Sequence, residues 1–299
     1  MAQQSAAQDI DVAGGTQRVL SFGTGQSHAL AVHGITASAM CWPAVARALP
    51  AHWTLHAVDL RGRGHSTDLT GPYGLDAHIA DLRDIVLALG LERPVLVGHS
   101  LGAYVALLTA HAHPELFERL VLIDGGLPVP LPPEADADEV MKATLGPAIA
   151  RLSQTYPTAD AYVQFWQAHP AMAEWNSDLE DYVRYDLRGK PGALRSRANP
   201  EAVRADSREL LTSYDRIAAA LRGLPGPTSL LRAPAGMFGQ PPGLLPEELT
   251  AYWQAEAPAL RVTTIPGSNH YTIICAPPAA AAVAQQIAAP EATCAPGLC

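Results

Sequence analysis

A serine nucleophile is predicted by the segment Gly98-His-Ser100-Leu-Gly102, which matches the pattern Gly-x-Ser-x-Gly. An apolar run precedes it at residues 95–97, and an amphipathic stretch follows it at residues 101–112. Glycine permits the strained strand-to-helix turn that exposes such a serine, and the first amides of the helix favour a developing negative charge. We therefore expect Ser100 to attack an electrophilic carbon; a serine in an ordinary turn is the alternative.

A serine nucleophile needs a general base, and the chain offers 11 histidines. His270 lies in the loop after the last predicted strand, from which a side chain reaches back across the sheet, and it follows Ser100 in the chain. That order is typical of hydrolases with this serine turn. His99 lies within the turn itself, and we expect its side chain to point away from the nucleophile. His270 is therefore the predicted base.

The elements that must position these residues follow from the apolar pattern. Short apolar runs alternate with helical patterns, which is typical of βα units around a mostly parallel, doubly wound sheet. The predicted strands are residues 19–22, 28–33, 54–59, 95–98, 120–124, 228–232 and 262–265. The predicted helices are residues 42–49, 77–89, 101–112 and 279–288. The expected fold class is α/β.

The alternation stops after Leu127, where a Pro-rich loop leads into a helical pattern without a clear strand. Seven aromatic residues are concentrated there: Tyr156, Tyr162, Phe165, Trp166, Trp175, Tyr182 and Tyr185. We expect a helical cap over a pocket, with most of these rings in the core of the cap and two or three facing the pocket. The expected division is a core of residues 1–127 and 222–290, a cap of residues 128–221 and a flexible tail of residues 291–299.

Four segments in this order resemble the α/β-hydrolase family, and the resemblance covers nearly the whole chain. They are His33-Gly-Ile35-Thr, Asp59-Leu-Arg61-Gly-Arg63-Gly-His-Ser66, the turn at Ser100, and Pro266-Gly-Ser-Asn-His270. The resemblance implies an α/β-hydrolase fold with an oxyanion hole formed by the backbone N–H groups of Leu101 and Ile35. It also implies that the segment 59–66 braces the site, with Arg61 and Arg63 paired to carboxylates.

The acid of a catalytic triad is where this sequence departs from the family. The acid most often follows the next-to-last strand, but here no Asp or Glu occurs between residue 232 and Glu247, and Gly239 stands near the expected position. Certain dehalogenases and lactone hydrolases of the family carry the acid after the strand that follows the nucleophile helix, where this chain has Asp124. Asp124 is the predicted acid; Glu247 or Glu248, and a Ser–His dyad, remain alternatives.

These residues predict a serine hydrolase that cleaves a carboxylic ester or lactone through an acyl-enzyme. The aromatic cap and the charged fraction of 16% favour a neutral, partly hydrophobic small molecule, unless arginines of the cap face inward: Arg184, Arg188 or Arg195. The residues expected to line the pocket are His33, Tyr162, Trp166, Trp175 and Tyr271, although His33 is also expected to have a structural role.

Several other functions fit the same residues. Relatives with this site catalyse cofactor-free haloperoxidase-type perhydrolysis, hydrolysis of carbon–carbon bonds and cyanohydrin cleavage. A thioesterase or cyclase acting on a carrier-bound chain is another alternative, and so is a small-molecule binder without catalysis, which the vacant acid position suggests. Epoxide hydrolases and haloalkane dehalogenases are disfavoured because they use a carboxylate nucleophile and residue 100 is serine.

Composition narrows the partners further. The 299 residues carry a net charge of −9 without a basic block, so nucleic acid is not an expected partner. No apolar stretch reaches 18 residues, and the N-terminus lacks the basic start and apolar run of a signal peptide, so the cytoplasm is the expected location. The cysteines form no C-x-x-C pair, Cys294 and Cys299 are expected to be reduced, and neither a metal nor an organic cofactor is expected. The oligomeric state stays open.

Overall fold

The computed structural model describes residues 5–130, 134, 136–172, 174–224 and 226–290. The predicted flexible tail, with Cys294 and Cys299, lies outside these residues. The strands in the described part are β1 (Ser5–Val12), β2 (Gly15–Phe22), β3 (Ser27–Val32), β4 (Trp53–Val58), β5 (Val95–His99), β6 (Leu120–Ile123), β7 (Leu187–Arg188), β8 (Arg195–Ser196), β9 (Thr228–Arg232) and β10 (Leu260–Thr264).

Eight of these strands form one mixed sheet in the order β1-β2-β4-β3-β5-β6-β9-β10. The pairs from β4 through β10 are parallel, whereas β1 and β2 form an antiparallel edge. Strand β6 is a continuous apolar run, and β5 is apolar from Val95 to Val97, because both faces of these strands are buried. Strand β4 is buried as well, but it includes Thr54 and His56. All seven predicted strands are present. Strand β1 was not predicted because half of its residues are polar and most of them are exposed, with Ile10 as its buried apolar residue.

Helices cover both faces of the sheet, which confirms the predicted α/β class. They are α1 (Pro43–Ala48), α2 (Leu75–Ala88), α3 (Leu101–Ala112), α4 (Ala137–Leu152), α5 (Ala159–Gln167), α6 (Ser177–Tyr185), α7 (Pro200–Thr212), α8 (Tyr214–Arg222), α9 (Glu247–Glu256), α10 (Thr272–Cys275) and α11 (Pro277–Ala288). Short 3-10 turns occur at Ala39–Cys41, Gly64–Ser66, Pro114–Leu116 and Pro170–Met172. Helices α9 and α10 were not predicted. None of the described helices is long and apolar enough to cross a membrane.

The two faces have separate hydrophobic cores. Helices α1, α10 and α11 pack on one face, together with apolar side chains of α5 and α6. Helices α2, α3, α8 and α9 pack on the other face. Alternate side chains of the strands point to opposite faces, so that Val97 joins the first core and Leu96 the second.

Helices α4–α8 are inserted between β6 and β9 and are called the cap below. The cap holds a buried polar group in which Asp186 accepts hydrogen bonds from Tyr162 Oη (2.5 Å) and Ser196 Oγ (3.0 Å). The short ladder of β7 with β8 is a strand pair that the helical pattern did not predict. The cap is tied to the sheet domain by Asp206, which pairs with Arg63 at 2.5 Å, and by Tyr185, whose hydroxyl donates to Asp59 at 2.6 Å.

Candidate active site

Ser100 occupies a strained turn at the carboxyl end of the central strand β5. Its φ of +55° and ψ of −122° lie outside the helical and extended regions, a conformation that persists only when the surroundings enforce it. The glycines make the turn possible: a Cβ on Gly98 would lie 2.1 Å from the carbonyl oxygen of Gly102, and one on Gly102 would lie 2.2 Å from that of Val32. Ser100 lines a cavity above the carboxyl ends of the parallel strands.

Asp124 and His270 meet beside this turn. The Asp124 Oδ2 atom lies 2.7 Å from His270 Nδ1, and both side chains are buried. The other carboxylate oxygen accepts the backbone N–H of Ala233 at 3.0 Å, which fixes the orientation of the carboxylate. Because a carboxylate is an acceptor, Nδ1 of the imidazole is the donor, and Nε2 is left as the basic nitrogen.

Asp124 reaches His270 because of the strand order. Strand β6, which precedes Asp124, is the neighbour of β9. The backbone N–H of Asp124 donates to the carbonyl oxygen of Leu231 on β9 at 2.7 Å. The carboxylate therefore lies at the same sheet edge as the loop after β10 that carries His270. Glu247 and Glu248, the alternative acids, are exposed at the first turn of α9.

Gly239 occupies a different environment from that of a triad acid. It has a φ of +75°, and a Cβ at this position would lie 3.3 Å from Ala171 Cα and from the Pro170 carbonyl oxygen of the cap. The loop after β9 therefore packs tightly against the cap where relatives often carry an Asp, and glycine suits both the left-handed backbone and the close approach.

Ser100 and His270 line the same cavity, but no hydrogen bond joins their side chains in the described structure. Hydrogen bonds between a nucleophile and its base are often long in enzymes without substrate and shorten in the complex. The structure thus pairs Asp124 with His270 and places both residues, together with Ser100, in the lining of one cavity.

The backbone N–H groups of Ile35 and Leu101 are the predicted oxyanion donors. Leu101 is the first residue of α3, and the first N–H groups of a helix have no partner within the helix. Neither N–H has a hydrogen-bond partner in the described part of the chain. Both residues line the cavity beside Ser100, so both donors lie next to the predicted nucleophile.

His33 supports the loop that carries Ile35, and it does not line the cavity. Its ring is buried, with Nδ1 2.7 Å from the carbonyl oxygen of Gly34 and Nε2 accepting the N–H of Leu60 at 3.0 Å. Burial lowers the pKa of His33 to about 3, so the ring is neutral, as an acceptor nitrogen requires. The pocket assignment of His33 is corrected to a structural one.

The segment 59–66 braces the same loop, as the resemblance implied. Arg63 donates through Nε to the carbonyl oxygen of Ile35 at 3.0 Å and pairs with Asp206 of the cap. Arg61 forms a buried pair with Asp81 at 2.6 Å. Asp59 accepts the backbone N–H groups of Ala39 and His65 at 2.7 and 2.8 Å.

His99 contacts His270, which sequence reasoning missed. Its Nε2 donates to the backbone carbonyl oxygen of His270 at 2.8 Å, and the two ring centroids are 4.8 Å apart. His99 is also among the residues that line the cavity. The pattern Gly-x-Ser-x-Gly specifies no residue type at this position, so it contains no signal for the contact.

The cavity above Ser100 has a volume of about 400 Å³ and is mostly apolar. Two aspartates, Asp124 and Asp178, line the cavity within the described structure. Asp178 pairs with Arg47 of α1. No Lys or Arg side chain lines it within the described residues. Arg184 pairs instead with Asp160 and Glu180, and Arg188 with Asp68, at the protein surface.

Of the residues expected in the pocket, Tyr271 lines the cavity, whereas Tyr162, Trp166 and Trp175 do not. Tyr162 and Trp166 surround the buried Arg151, which bonds to Tyr162 and lies 4.9 Å from the Trp166 ring centroid. They are therefore buried in the core that the cap shares with α1, α10 and α11, and Trp175 packs against the same core. Among the described residues of the cap, Tyr182 is the one aromatic residue that lines the cavity. Two or three such residues were expected.

The described residues contain no group of three or more His, Cys, Asp or Glu side chains arranged to hold a metal ion.

Comparison with known sequences identifies relatives of this chain. The sequence model of the alpha/beta hydrolase family matches residues 29–286. A curated relative, N-formylmaleamate deformylase of Pseudomonas putida, is 40% identical over 120 residues, which are 39% of this chain and 44% of the relative. The chain spans about half the length of the curated relatives it matches.

Solved structures match over nearly the full length. The structure of E-2-(acetamidomethylene)succinate hydrolase has a TM-score of 0.78 at 23% identity, covering 95% of this chain and 99% of that protein. A thermophilic esterase from Thermogutta terrifontis has a TM-score of 0.67 at 24% identity, covering 95% and 96%. At such identities the likeness concerns the fold alone, and it confirms the predicted fold: a mostly parallel eight-stranded sheet with an inserted helical region.

Proposed function

The chain belongs to the alpha/beta hydrolase family, and from this premise we propose that it is a serine hydrolase of neutral carboxylic esters or lactones. The observation that carries the proposal is the 2.7 Å contact between Asp124 Oδ2 and His270 Nδ1 beside the strained turn of Ser100. A buried carboxylate that orients an imidazole next to an exposed serine is the arrangement that acyl transfer requires.

In the proposed mechanism, Ser100 Oγ attacks the carbonyl carbon while His270 Nε2 accepts its proton. Asp124 holds the Nδ1–H and stabilises the imidazolium that forms. The N–H groups of Ile35 and Leu101 donate to the oxyanion; removal of one such donor typically costs about 3–4 kcal/mol of transition-state stabilisation. His270 then gives the proton to the leaving alcohol oxygen, which leaves an acyl-enzyme at Ser100.

Water completes the cycle by the same steps. His270 Nε2 takes a proton from the water as its oxygen attacks the acyl carbon, and returns that proton to Ser100 Oγ as the bond to the serine breaks. The products are the carboxylic acid and the free enzyme. Apart from the substrate and this water, the proton transfers use groups of the chain.

The lining of the cavity supports a neutral substrate. Carboxylate groups of ligands are typically held by Arg or Lys side chains, and the described lining contains neither. The relatives named for N-formylmaleamate and for a substituted succinate are named for carboxylate-bearing molecules, a class that this lining does not suit. We therefore assign a neutral ester to this site.

The proposal is tested with two p-nitrophenyl esters that differ in charge, the butyrate and the hemisuccinate. We expect kcat/KM to be at least about a hundredfold higher for the butyrate, because the hemisuccinate must bury an unpaired carboxylate. Ser100→Ala is the control and should abolish turnover of both esters with the fold unchanged. Equal or faster hydrolysis of the hemisuccinate would overturn the neutral-substrate assignment.

A further inference from the structure

Helix α6 of the cap supplies two polar side chains to the mostly apolar cavity. Asp178, Leu179 and Tyr182 of this helix are all lining residues. Residues four apart lie on the same face of a helix, with their Cβ atoms about 5–6 Å from each other. The carboxylate of Asp178 and the phenol of Tyr182 are therefore neighbours in the cavity wall.

Arg47 of α1 fixes the carboxylate of Asp178 and offsets its charge. The Nη2 atom of Arg47 pairs with Oδ2 of Asp178, and no donor to Oδ1 is present among the described residues. The side chain of Asp178 is 17% exposed, and it lies in the first turn of α6, where the helix dipole favours a negative charge. Asp178 thus has one occupied oxygen and one free acceptor.

The hydroxyl of Tyr182 has no hydrogen-bond partner in the described part of the chain, although the residue is only 9% exposed. By contrast, the hydroxyl of Tyr104 donates to the carbonyl oxygen of Leu127 at 2.9 Å, and that of Tyr162 donates to Asp186. Burial raises the pKa of Tyr182 well above its usual range, so that the hydroxyl keeps its proton. Because buried polar groups normally have a partner, this donor is one that a ligand can satisfy.

A hydroxyl group is the ligand chemistry that suits this pair. It can donate to Oδ1 of Asp178 and accept from Tyr182 at the same time. A carboxylate would be repelled by Asp178. An ammonium group would lose its hydration in a mostly apolar cavity whose nearest carboxylate is already paired with Arg47.

We propose that Asp178 and Tyr182 form a subsite for a hydroxyl group that the substrate carries in addition to its ester, so that the substrate is a neutral hydroxy ester. The proposal rests on the proposed serine-hydrolase function and adds a substrate group and the residues that recognise it. A few polar groups in a largely apolar pocket typically fix the orientation and the specificity of a small ligand.

The test compares hydroxy esters with analogues in which a methyl group replaces the hydroxyl. One series consists of p-nitrophenyl esters of straight-chain ω-hydroxy acids, and the other consists of monoacetates of straight-chain α,ω-diols, each over chain lengths of about four to eight carbons. The two series place the hydroxyl on either side of the ester. The measured quantity is the ratio of kcat/KM for each hydroxy ester to that of its methyl analogue.

We expect this ratio to reach at least about ten in the wild type at the chain length that brings the hydroxyl to the subsite, because the analogue leaves the polar groups of the site unpaired. Tyr182→Phe keeps the ring, and Asp178→Leu keeps the approximate size of the side chain. Each should lower the ratio at least about threefold. A wild-type ratio of one or less at every length in both series, or a smaller loss in either variant, would overturn the subsite.

A charged analogue tests the chemistry of the subsite. The ω-amino ester of the preferred length should be hydrolysed with a lower kcat/KM than the hydroxy ester. A higher value would assign the subsite to a cation and overturn the proposal. Asp178→Asn retains an acceptor oxygen and should keep most of the preference for the hydroxyl, whereas complete loss of the preference in this variant would contradict a neutral hydrogen bond.

Controls separate the subsite from effects on the fold and from the proposed function. Asp181→Asn alters an exposed carboxylate of the same helix and should leave the ratio within about twofold. Should Asp178→Leu lose the thermal transition of the wild type, Asp178→Ala replaces it. Wild-type protein that hydrolyses the methyl analogues without preferring the hydroxy esters would refute the subsite alone, whereas wild-type protein that hydrolyses no ester would refute the proposed function itself.

Discussion

The Nε2 atom of His99 donates a hydrogen bond to the backbone carbonyl oxygen of His270 at a distance of 2.8 Å. The residue that precedes the proposed nucleophile thus holds the loop of the proposed base. Burial lowers the pKa of His99 to about 3, so its ring is neutral and adds no positive charge beside the imidazolium of His270. This hydrogen bond links two distant parts of the chain, the turn of Ser100 and the loop of His270.

His99 is therefore expected to act as a positioning residue. Replacement by Phe keeps a ring but removes the donor, and should lower kcat by about tenfold to a hundredfold with little change in KM, since small misplacements of catalytic groups have effects of this size. His99→Gln retains a donor and should recover most of the loss. Steady-state kinetics of both variants, with separate determination of kcat and KM, test this point. Equal activity of the Phe and Gln variants would exclude the positioning role.

Replacement of Asp124 by Asn should lower kcat by at least about a hundredfold. An amide at this position no longer selects the His270 tautomer with the proton on Nδ1, and a comparable change in serine proteases costs about 10⁴-fold. The matched controls are Glu247→Gln and Glu248→Gln, which alter exposed carboxylates of α9 and should leave kcat unchanged. A loss of less than threefold in Asp124→Asn would mean that another group, or none, serves as the acid.

Stability should fall as the pH is lowered from about 6.5 to about 5. Burial lowers the pKa values of His33 and His99 to about 3 and that of His56 to about 4, whereas unfolded histidine titrates near 6.5. In this range the unfolded chain binds protons that the folded protein excludes. Asp59 opposes the effect because burial raises its pKa to about 6, so that the folded protein holds a proton there that the unfolded chain releases.

Near pH 5, unfolding takes up a net of about two protons. The free energy of unfolding should therefore fall by about 3 kcal/mol for each unit by which the pH is lowered. Urea unfolding at pH 6.5, 5.75 and 5.0 measures this slope. His56→Gln removes one of the titrating groups and should reduce the slope by roughly one proton equivalent. A free energy of unfolding that stays constant or increases toward pH 5 would contradict the neutral state of these buried rings.

The pair of Arg63 with Asp206 should contribute strongly to stability. Both side chains are fully buried, and removing one partner of such a pair typically costs about 3–5 kcal/mol because the other charge is left unpaired. Arg63→Met and Asp206→Asn should each lower the free energy of unfolding by this amount. The double variant should lose clearly less than the sum of the two single losses. Asp160→Asn, at the exposed pair with Arg184, is the control and should cost at most about 1 kcal/mol. Additive effects in the buried pair would contradict a direct coupling.

The core of the fold could be predicted from the sequence because its parallel strands are buried on both faces and therefore form apolar runs. The nucleophile turn was recognisable because its glycines are required: a Cβ on Gly98 would lie 2.1 Å from the carbonyl oxygen of Gly102, so no side chain fits there. Edge strand β1 was missed because one buried residue, Ile10, produces no periodic signal.

The acid and the pocket were harder because they depend on tertiary neighbours. Asp124 meets His270 through the adjacency of β6 and β9, and strand order is not encoded in the local pattern. The aromatic residues of the cap suggested a pocket, but Tyr162 and Trp166 pack around the buried Arg151. The cavity is lined largely by aliphatic residues such as Leu210, whose periodicity indicates a buried helix face without showing what it faces.

Intact-mass spectrometry after treatment with a fluorophosphonate tests the central claim most directly. Such a probe phosphonylates a serine whose base and oxyanion donors are already aligned, so it reports on Ser100, His270 and the N–H groups of Ile35 and Leu101 together. We predict a single adduct on the wild-type protein, none on Ser100→Ala, and slow labelling of Asp124→Asn. An unlabelled wild-type protein, or an adduct that persists in Ser100→Ala, would contradict a serine hydrolase centred on Ser100.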